Sequence, residues 1–513
     1  MKKPITKLFL ALAFMSASFT LITSCAEDGL NGIDGVNGQD GQNGQDGKDG
    51  EDGKDFTPTP DLFSNKSTLS PLVKINANYT DLKAYSLISS TDVLSNGFRL
   101  LGSQDGAGFL KDGDEYILVV NAEDDYAVSR IRFDEFMNPL EGDWLLNAGV
   151  ADFARQCSAT MWEKDIHGGD KDIFLSASES ISYDVKAIDP WVESPTPNAD
   201  FGLDALGEFS WENAVPLPKN TYAGKTVIIG GDDDSSGSEG QVTMYVSENG
   251  DADLENGKIY VLRFKQVSDG AKGVKSVDAS TVYNEGSLDF GATYDVEFVE
   301  IENGASMTKN EMETACTNVF ASQFMRVEDV DYQKGSDANA RNVFIAVTGR
   351  GPGRGTYNDW GTVYKLELDD TNPLEGKLTQ IISGNTDTNN KDGNLAALQS
   401  PDNICVTENY VYVQEDPNSF SRNHAAQIYQ TDLSGNNANV VLELKIESNL
   451  SPTGSSNFSG EFGALIDVSD KIGQADTFIL ALQPHYWQSE DFRSTNLPHN
   501  QGGQIVLLQG LPR

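Results

Sequence analysis

Short apolar runs rich in Val, Ile, Tyr and Phe recur between residues 67 and 513, and each ends in a polar or glycine-containing segment. Runs of this length with β-branched and aromatic residues are typical of strands. Helical periodicity is limited to brief stretches such as 309–320. The pattern predicts an all-β fold with inserted loops and few short helices.

One motif repeats along this region: an apolar strand ends in an acidic or polar cluster, and a second strand follows. Six such hairpins are predicted, at 117–123 with 128–133, 173–179 with 183–188, 227–234 with 242–246, 343–349 with 362–368, 411–416 with 427–433, and 478–485 with 504–508. Six units without intervening helices predict a six-bladed β-propeller, in which ring closure removes exposed sheet edges. A β-sandwich or jelly roll is the alternative.

In a propeller, the loop that enters a blade and the loop between its second and third strands lie on one face. The predicted entering segments contain Asp105, Cys157, Glu212, Glu328, Asp402 and Glu461, and the hairpin loops contain Glu123, Glu179, Asp232 to Asp234, Thr348, Glu415 with Asp416, and Gln483 with His485. A single acid at a strand end is usually a turn former or a solvated residue. Its recurrence in all six units favours a shared site around the channel.

Carboxylates that converge on one channel repel each other, and bound cations would remove that cost. Many hard oxygen ligands suit calcium or ferric iron, whereas structural zinc would require closely spaced Cys and His, which this sequence lacks. Cys157 is either a small buried residue or, given its polar surroundings, a thiolate ligand. Asp402 and Glu415 are further candidates for metal binding or channel lining.

The N-terminus is typical of an exported lipoprotein. Lys2, Lys3 and Lys7 accompany a short apolar stretch that is too short to span a bilayer. The segment 21–25, Leu-Ile-Thr-Ser-Cys, resembles a lipobox, so residues 1–24 are predicted to be a lipoprotein signal peptide and Cys25 the lipidated residue. The alternative is an ordinary signal peptide with a chance cysteine. We expect the lipid to anchor the chain to the outer membrane, on its periplasmic face or at the cell surface.

Residues 25–55 follow as a stalk in which glycine occupies every third position from Gly29 to Gly53. This period is that of the collagen triple helix, so the segment predicts either a homotrimer or a flexible acidic spacer. Residues 56–66 form a linker, and 67–513 are predicted to be the propeller domain.

Charge and cysteine content limit the partners. Removal of residues 1–24 takes away three lysines and leaves 34 basic against 78 acidic side chains, a net charge of −44. Such a charge argues against nucleic acid as a partner and is compatible with binding several cations. After lipidation three cysteines remain, so at least one is predicted to be unpaired.

Several segments, in the same order, resemble the PhoX family of secreted alkaline phosphatases over about residues 97 to 510. They are 121–123 (Asn-Ala-Glu), Cys157 with 175–179, 206–214 followed by 231–234 and 259–264, 325–328, 400–403, 461–464 and 483–485. The resemblance implies a propeller whose channel holds iron and calcium ions and hydrolyses phosphate monoesters.

The resemblance also implies roles for individual residues. Cys157, Glu212 and Glu328 would hold iron; Glu123, Glu179, Asp233 and Glu461 would help to hold iron or calcium; and Arg326 would contact phosphate. The chain departs from the family pattern at Ala122, Trp211 and Val327, which puts the activity itself in question. The alternative function is therefore an inactive propeller that binds a ligand or partner at the surface, and a third is a structural lipoprotein that acts through its stalk.

Overall fold

The computed structural model describes residues 61–150, 154–192, 201–234, 239–250, 252–354, 357–387, 392–417, 420–451 and 460–513. The predicted signal peptide, Cys25, the glycine-period stalk and the first part of the linker, residues 56–60, lie outside these ranges. Within them the regular secondary structure is mainly β, with few short helices, as predicted. No helix in the described segments is long and apolar enough to cross a membrane.

Four sheets are separate, blade-like units, and the chain supplies them in order. The first contains β3 (Gln104–Asp112), β4 (Glu115–Ala122), β5 (Ala127–Phe133) and β6 (Pro139–Leu146), and the second contains β7 (Gln156–Trp162), β8 (Ile173–Ser178) and β9 (Val185–Ile188). Each pairs sequential neighbours in antiparallel fashion. Short connections join the strands, so the order in sequence is the order in space.

The other two separate sheets each recruit a strand from the start of the domain. In one, β1 (Val73–Ile75) pairs with the outer edge of β21 (Pro401–Val406), β22 (Tyr410–Glu415), β23 (Gln427–Asp432) and β24 (Asn439–Leu444). In the other, β2 (Lys83–Ser89) pairs antiparallel with β27 (Gln504–Gln509), beside β25 (Glu461–Asp467) and β26 (Thr477–Gln483). The two ends of the domain are thereby tied into neighbouring sheets.

The fifth large sheet overturns the prediction of six separate blades. Nine strands join in one sheet, in the spatial order β10 (Trp211–Pro216), β11 (Thr226–Asp232), β12 (Val242–Ser247), β13 (Lys258–Phe264), β16 (Thr293–Ile301), β20 (Glu375–Ser383), β19 (Thr362–Leu368), β18 (Asn342–Val347) and β17 (Val327–Tyr332). The architecture is four blade-like sheets plus this larger, nearly closed one.

The long strand β16 is the physical reason for the difference. It pairs with β13 on one side and with β20 on the other, and thereby satisfies two edges that would otherwise be exposed. The sheet curls until its first and last strands meet, where Asn213 on β10 donates hydrogen bonds to Asp329 and to the Val330 carbonyl on β17. Hairpin counting could not reveal this pairing, because it concerns outer edges rather than turns.

The six predicted hairpins are nevertheless confirmed as antiparallel pairs, namely β4 with β5, β8 with β9, β11 with β12, β18 with β19, β22 with β23 and β26 with β27. The remaining strands, β14 (Gln266–Ser268) and β15 (Val274–Ser276), form a small ribbon. The described α-helices are α1 (Lys164–His167), α2 (Lys309–Asn318) and α3 (Ser469–Ile472). The helix α2 lies where helical periodicity was predicted.

Six strands pack side by side around a central channel: β3, β7, β10, β17, β21 and β25. Each of them contains one extra residue relative to its pairing partner, a β-bulge. The bulges lie near the same end of the channel. A bulge lets consecutive side chains face the same way, which an ordinary strand forbids.

Close packing between neighbouring bulges requires small residues. A Cβ atom at Gly106 would overlap the backbone of Ser158 and Ala159 on the adjacent strand β7. The glycine is needed here for close approach of two backbones and not for its φ angle.

We expect Gly106→Ala to lower the free energy of unfolding by about 1–3 kcal/mol, because one of two inner strands must move. Thermal unfolding followed by circular dichroism would measure this. Gly149→Ala is the control, since its Cβ would meet only the end of the exposed Asn496 side chain, at 2.9 Å, which can move away. Equal effects of the two substitutions would contradict the packing argument.

Candidate metal centre

A polar cavity of about 230 Å³ opens at the bulged end of the channel. Its lining combines eight carboxyl groups, one thiol, two guanidinium groups and one imidazole, from Asp105, Glu123, Arg155, Cys157, Glu179, Glu212, Arg326, Glu328, Asp402, Asp416, Glu461 and His485. Most of these carboxyl groups belong to buried residues. The cavity therefore concentrates negative charge where water is scarce.

The inner-strand bulges position five of these groups. Asp105, Cys157, Glu212, Glu328 and Asp402 each lie in the bulge of a different inner strand, while Glu461 begins β25. The hairpin loops supply Glu123, Glu179 and Asp416 from the outer side. Entering segments and hairpin loops thus both contribute side chains to one cavity, although the predicted hairpin-loop residues Asp232 to Asp234, Thr348, Glu415 and Gln483 do not line it.

On four of these strands, the residue that follows the cavity-lining residue is also polar. Together these four residues form a polar layer beneath the cavity. Ser158, Asn213, Asp329 and Asn403 are linked to one another: the Ser158 hydroxyl lies 3.4 Å from Asp329 Oδ1 and 3.3 Å from Asn403 Oδ1, and Asn213 donates to Asp329. Asn403 Nδ2 also donates to Asp105 Oδ1 at 3.1 Å, which joins the layer to the cavity. All four also line a second, larger cavity of about 620 Å³.

Several groups of three ligand atoms in or beside the cavity lie within 4.8 Å of one another, a spacing that one ion could bridge. These groups are Asp105, Cys157 and Glu212; Glu123, Cys157 and Glu179; Glu179, Glu212 and Asp233; Glu212, Glu328 and Asp402; and Asp402, Asp416 and Glu461. Carboxylates with one thiolate fit iron and calcium, and the set lacks the Cys and His pattern of structural zinc.

Electrostatics support the same interpretation. Burial, with the neighbouring carboxylates as a further cause, raises the pKa of Glu212, Asp402 and Glu461 well above the ordinary range. Burial likewise raises the pKa of the Cys157 thiol, and Glu179 and Glu212 add to the effect. In the absence of bound cations, the protein environment thus disfavours the ionised forms of these side chains. Bound cations would stabilise those charged forms.

Arg326 holds an unusual position in the cavity. Its φ angle is +69°, in the left-handed region that non-glycine residues rarely adopt and that costs about 1–3 kcal/mol. Backbone hydrogen bonds from Thr348 N–H to the Arg326 carbonyl and from Gly349 N–H to the Met325 carbonyl, at 3.0 and 2.9 Å, hold this conformation. Strain maintained by surrounding structure is common at functional sites.

The guanidinium of Arg326 is fixed by two acids. It donates from Nε to Asp233 Oδ1 at 2.7 Å and from Nη2 to Asp233 Oδ2 at 3.1 Å, and Nη2 lies 2.7 Å from Glu328 Oε1. This bidentate geometry sets the plane of the guanidinium. Asp233 thus lies beside the cavity as a partner of Arg326.

Among the candidates from the sequence, Glu415 lies apart from the cavity. It is fully buried and accepts hydrogen bonds from the backbone N–H groups of Gln399 and Gln427, both at 3.0 Å. Its neighbour Asp416 lines the cavity instead. Alternation of side chains along a strand explains why only one of two adjacent acids can face the channel.

The three departures from the family pattern also lie outside the cavity lining. Trp211 is buried and donates its indole N–H to the Gly207 carbonyl at 2.9 Å, while Val327 and Ala122 belong to hydrophobic clusters. They change packing behind the site and leave its ligand types intact.

Arg155 lines the cavity and was not predicted from the sequence, whereas His485 was predicted in a hairpin loop at the channel and lines the cavity as well. Arg155 precedes Cys157 by two residues, and His485 lies 3.2 Å from Glu461 through Nε2. An arginine next to a proposed thiolate ligand in a very acidic chain was the available signal for Arg155. The described cysteines, Cys157, Cys316 and Cys405, are all buried and unpaired.

No family model and no curated protein sequence matches the chain. Among solved structures, Pseudomonas fluorescens PhoX in complex with vanadate, a transition state analogue, has a TM-score of 0.58 at 13% identity, over 88% of this chain and 99% of that one.

Two other similar structures are far more distant. The AfRom2 CNH domain (8% identity, 83% of this chain and 98% of that one) and an α-L-arabinofuranosidase from Podospora anserina (8% identity, 85% and 98%) have TM-scores of 0.33 and 0.32. They support no argument about this chain. The comparison with the PhoX structure, at a TM-score of 0.58, shows that the chain has a fold similar to that of PhoX.

The metal-free protein should lose stability as the pH rises. Burial raises the pKa of Asp105 to about 7 and that of Asp233 to about 6, above the usual value near 4 in unfolded chains. Such groups favour the folded state below pH 4, and this contribution disappears as the pH passes through 6 and 7. In EDTA, the unfolding temperature should be several degrees lower at pH 8 than at pH 5.

Thermal scans across this pH range test the expectation. Millimolar calcium should restore the unfolding temperature at pH 8, and Asp105→Asn should flatten the decline in EDTA. A constant or rising unfolding temperature between pH 5 and pH 8 without metal would contradict it.

Proposed function

We propose that this chain is a metal-dependent phosphomonoester hydrolase with a centre of iron and calcium. The observation that supports it is the convergence of eight carboxyl groups, the Cys157 thiol and the fixed Arg326 guanidinium on one small cavity. The fold similarity to a PhoX structure with a bound transition state analogue is compatible with this proposal.

The cavity suits the head of a phosphate monoester better than a large ligand. Its volume of about 230 Å³ must also contain the cations, so the remaining space is that of a small polar group. The alcohol portion of the ester would stay at the opening of the cavity, so esters with different alcohol portions are expected to bind. This arrangement fits removal of phosphate from varied esters, which would supply phosphate to the cell.

Glu212, Glu328 and Cys157 would hold iron, and Asp402, Asp416 and Glu461 would complete the centre with calcium. Glu123 and Glu179 lie where a further cation could bind. Bound cations would neutralise the phosphate oxygens and lower the pKa of a bound water. Arg326 would offer planar N–H donors to the same oxygens, while Asp233 and Glu328 keep its guanidinium oriented. Because most of these carboxylates are buried, little bulk water would be present to screen these interactions.

The position of the enzyme in the cell is part of the proposal. Lipid on Cys25 would anchor the chain in the outer membrane, and the segment 29–53 would hold the domain away from the bilayer, as a homotrimer or as a flexible spacer. An enzyme placed this way would meet phosphate esters outside the cytoplasm.

Protein purified aerobically should contain iron and calcium by elemental analysis and should hydrolyse a generic aryl phosphate. Glu328→Gln and Cys157→Ser should each lower kcat/KM more than about 100-fold, because each removes a proposed iron ligand. Glu490→Gln is the control, since its side chain is 78% exposed. Protein with neither metal nor hydrolysis would favour the alternative of an inactive binding propeller.

Arg326→Lys should lower kcat/KM about 10–1000-fold and weaken inhibition by inorganic phosphate, because lysine cannot reproduce the bidentate geometry. Its iron and calcium content should match the unsubstituted protein. Arg263→Lys, which alters a comparable Arg–Glu pair on β13, is the control. If Arg326→Lys is inhibited by inorganic phosphate as strongly as the unsubstituted protein, Arg326 does not contact phosphate.

A further inference from the structure

Arg155 lies among three carboxylates at one side of the cavity. Its Nη1 is 2.7 Å from Glu123 Oε1 and 3.0 Å from Glu179 Oε1, and its Nη2 is 2.9 Å from Asp124 Oδ1. One guanidinium therefore bridges two acids that the sequence analysis assigned to metal binding, and a third beside them.

The bridged position is one that a metal ion could otherwise take. Ligand atoms of Glu123, Glu179 and Cys157 lie within 4.8 Å of one another. A divalent cation in this group would contact the same carboxylates that Nη1 contacts. The two cations would compete for the same place.

The fold fixes the backbone from which the Arg155 guanidinium reaches these carboxylates. Arg155 is separated from Cys157 by one residue, and its backbone N–H donates to Ser180 Oγ at 3.3 Å, in the loop that follows Glu179. Attraction by Glu123 is the largest influence on the pKa of Arg155 and raises it further, so the charge is permanent.

The opposite side of the cavity provides the contrast. Asp402, Asp416 and Glu461 also form a group within 4.8 Å, but the basic group within ion-pair distance of Glu461 there is the His485 imidazole, which is charged only when protonated. That imidazole does not supply a permanent positive charge. The Arg155 side already contains one.

We propose that the Arg155 guanidinium takes the place of one divalent cation between Glu123 and Glu179, so that the centre binds one ion fewer than its carboxylates could hold. The proposal rests on the metal centre described under Proposed function. Arg155 is on this view a positioning residue, which sets the number of ions and the orientation of Glu123 and Glu179.

The test compares ion content between variants. Arg155→Met removes the charge at similar length, Arg155→Lys keeps it, and Arg263→Met removes a distant guanidinium. Each variant is loaded with calcium, dialysed, and measured by elemental analysis per folded chain. We expect one additional calcium in Arg155→Met, and the unsubstituted count in the other two variants.

Thermal unfolding with and without calcium gives a second readout. Arg155→Met should be less stable than the unsubstituted protein in EDTA, and millimolar calcium should close the difference. An unchanged calcium count in folded Arg155→Met overturns the proposal, and so does a variant that stays unfolded at every calcium concentration.

This outcome is separate from the fate of the proposed function. A gain of one calcium in Arg155→Met supports the role of Arg155 even when the unsubstituted protein proves to lack iron and hydrolytic activity. An active, metal-loaded protein whose Arg155→Met variant gains no ion supports the function and overturns the role of Arg155.

Discussion

Repulsion among buried carboxylates is the constraint on which the rest of this structure depends. Eight carboxyl groups line one cavity of about 230 Å³, and the guanidinium groups of Arg155 and Arg326 balance only part of their charge. Burial makes each uncompensated charge expensive, and the pKa of Glu328, Glu123 and others rises accordingly. A fold that keeps such a cavity must either protonate these groups or supply cations. At neutral pH and above, cations are the solution that leaves the carboxylates able to act as ligands.

The β-bulges are what make this concentration of ligands geometrically feasible. An ordinary inner strand would give the channel every second side chain. With one extra residue, strands β7, β10, β17 and β21 present a cavity group and a second polar residue in succession, such as Glu328 followed by Asp329. The first residue serves the cavity, and the second forms the hydrogen-bonded layer beneath it. That layer in turn fixes neighbouring strands against each other, so the ligands sit on a rigid base.

The sequence predicted the parts of this arrangement that are local. The six hairpins follow from alternation and turn residues, and the cavity acids Glu212, Glu328 and Asp402 follow from their place before each hairpin. Pairing of outer edges is not local: β16 joins β13 to β20 across long intervening segments, so six separate blades became four blade-like sheets and one sheet of nine strands. The choice between Glu415 and Asp416 depends on side-chain alternation within one residue, and the reach of Arg155 depends on a side chain that leaves a loop. Neither is encoded in spacing alone.

In the proposed enzyme, the charge balance would set the order in which cations and phosphate bind. A phosphate dianion would be repelled by the carboxylates unless cations already occupied the cavity, because Arg326 is engaged by Asp233 and Glu328. In the proposed enzyme, cation binding would therefore precede or accompany anion binding, and by linkage the anion would strengthen retention of the cations. The coupling is asymmetric: Arg155 places a permanent positive charge between Glu123 and Glu179, whereas the basic group within ion-pair distance of Glu461 is the His485 imidazole. Phosphate binding would consequently be most sensitive to whether a cation is bound on the side of Asp402, Asp416 and Glu461.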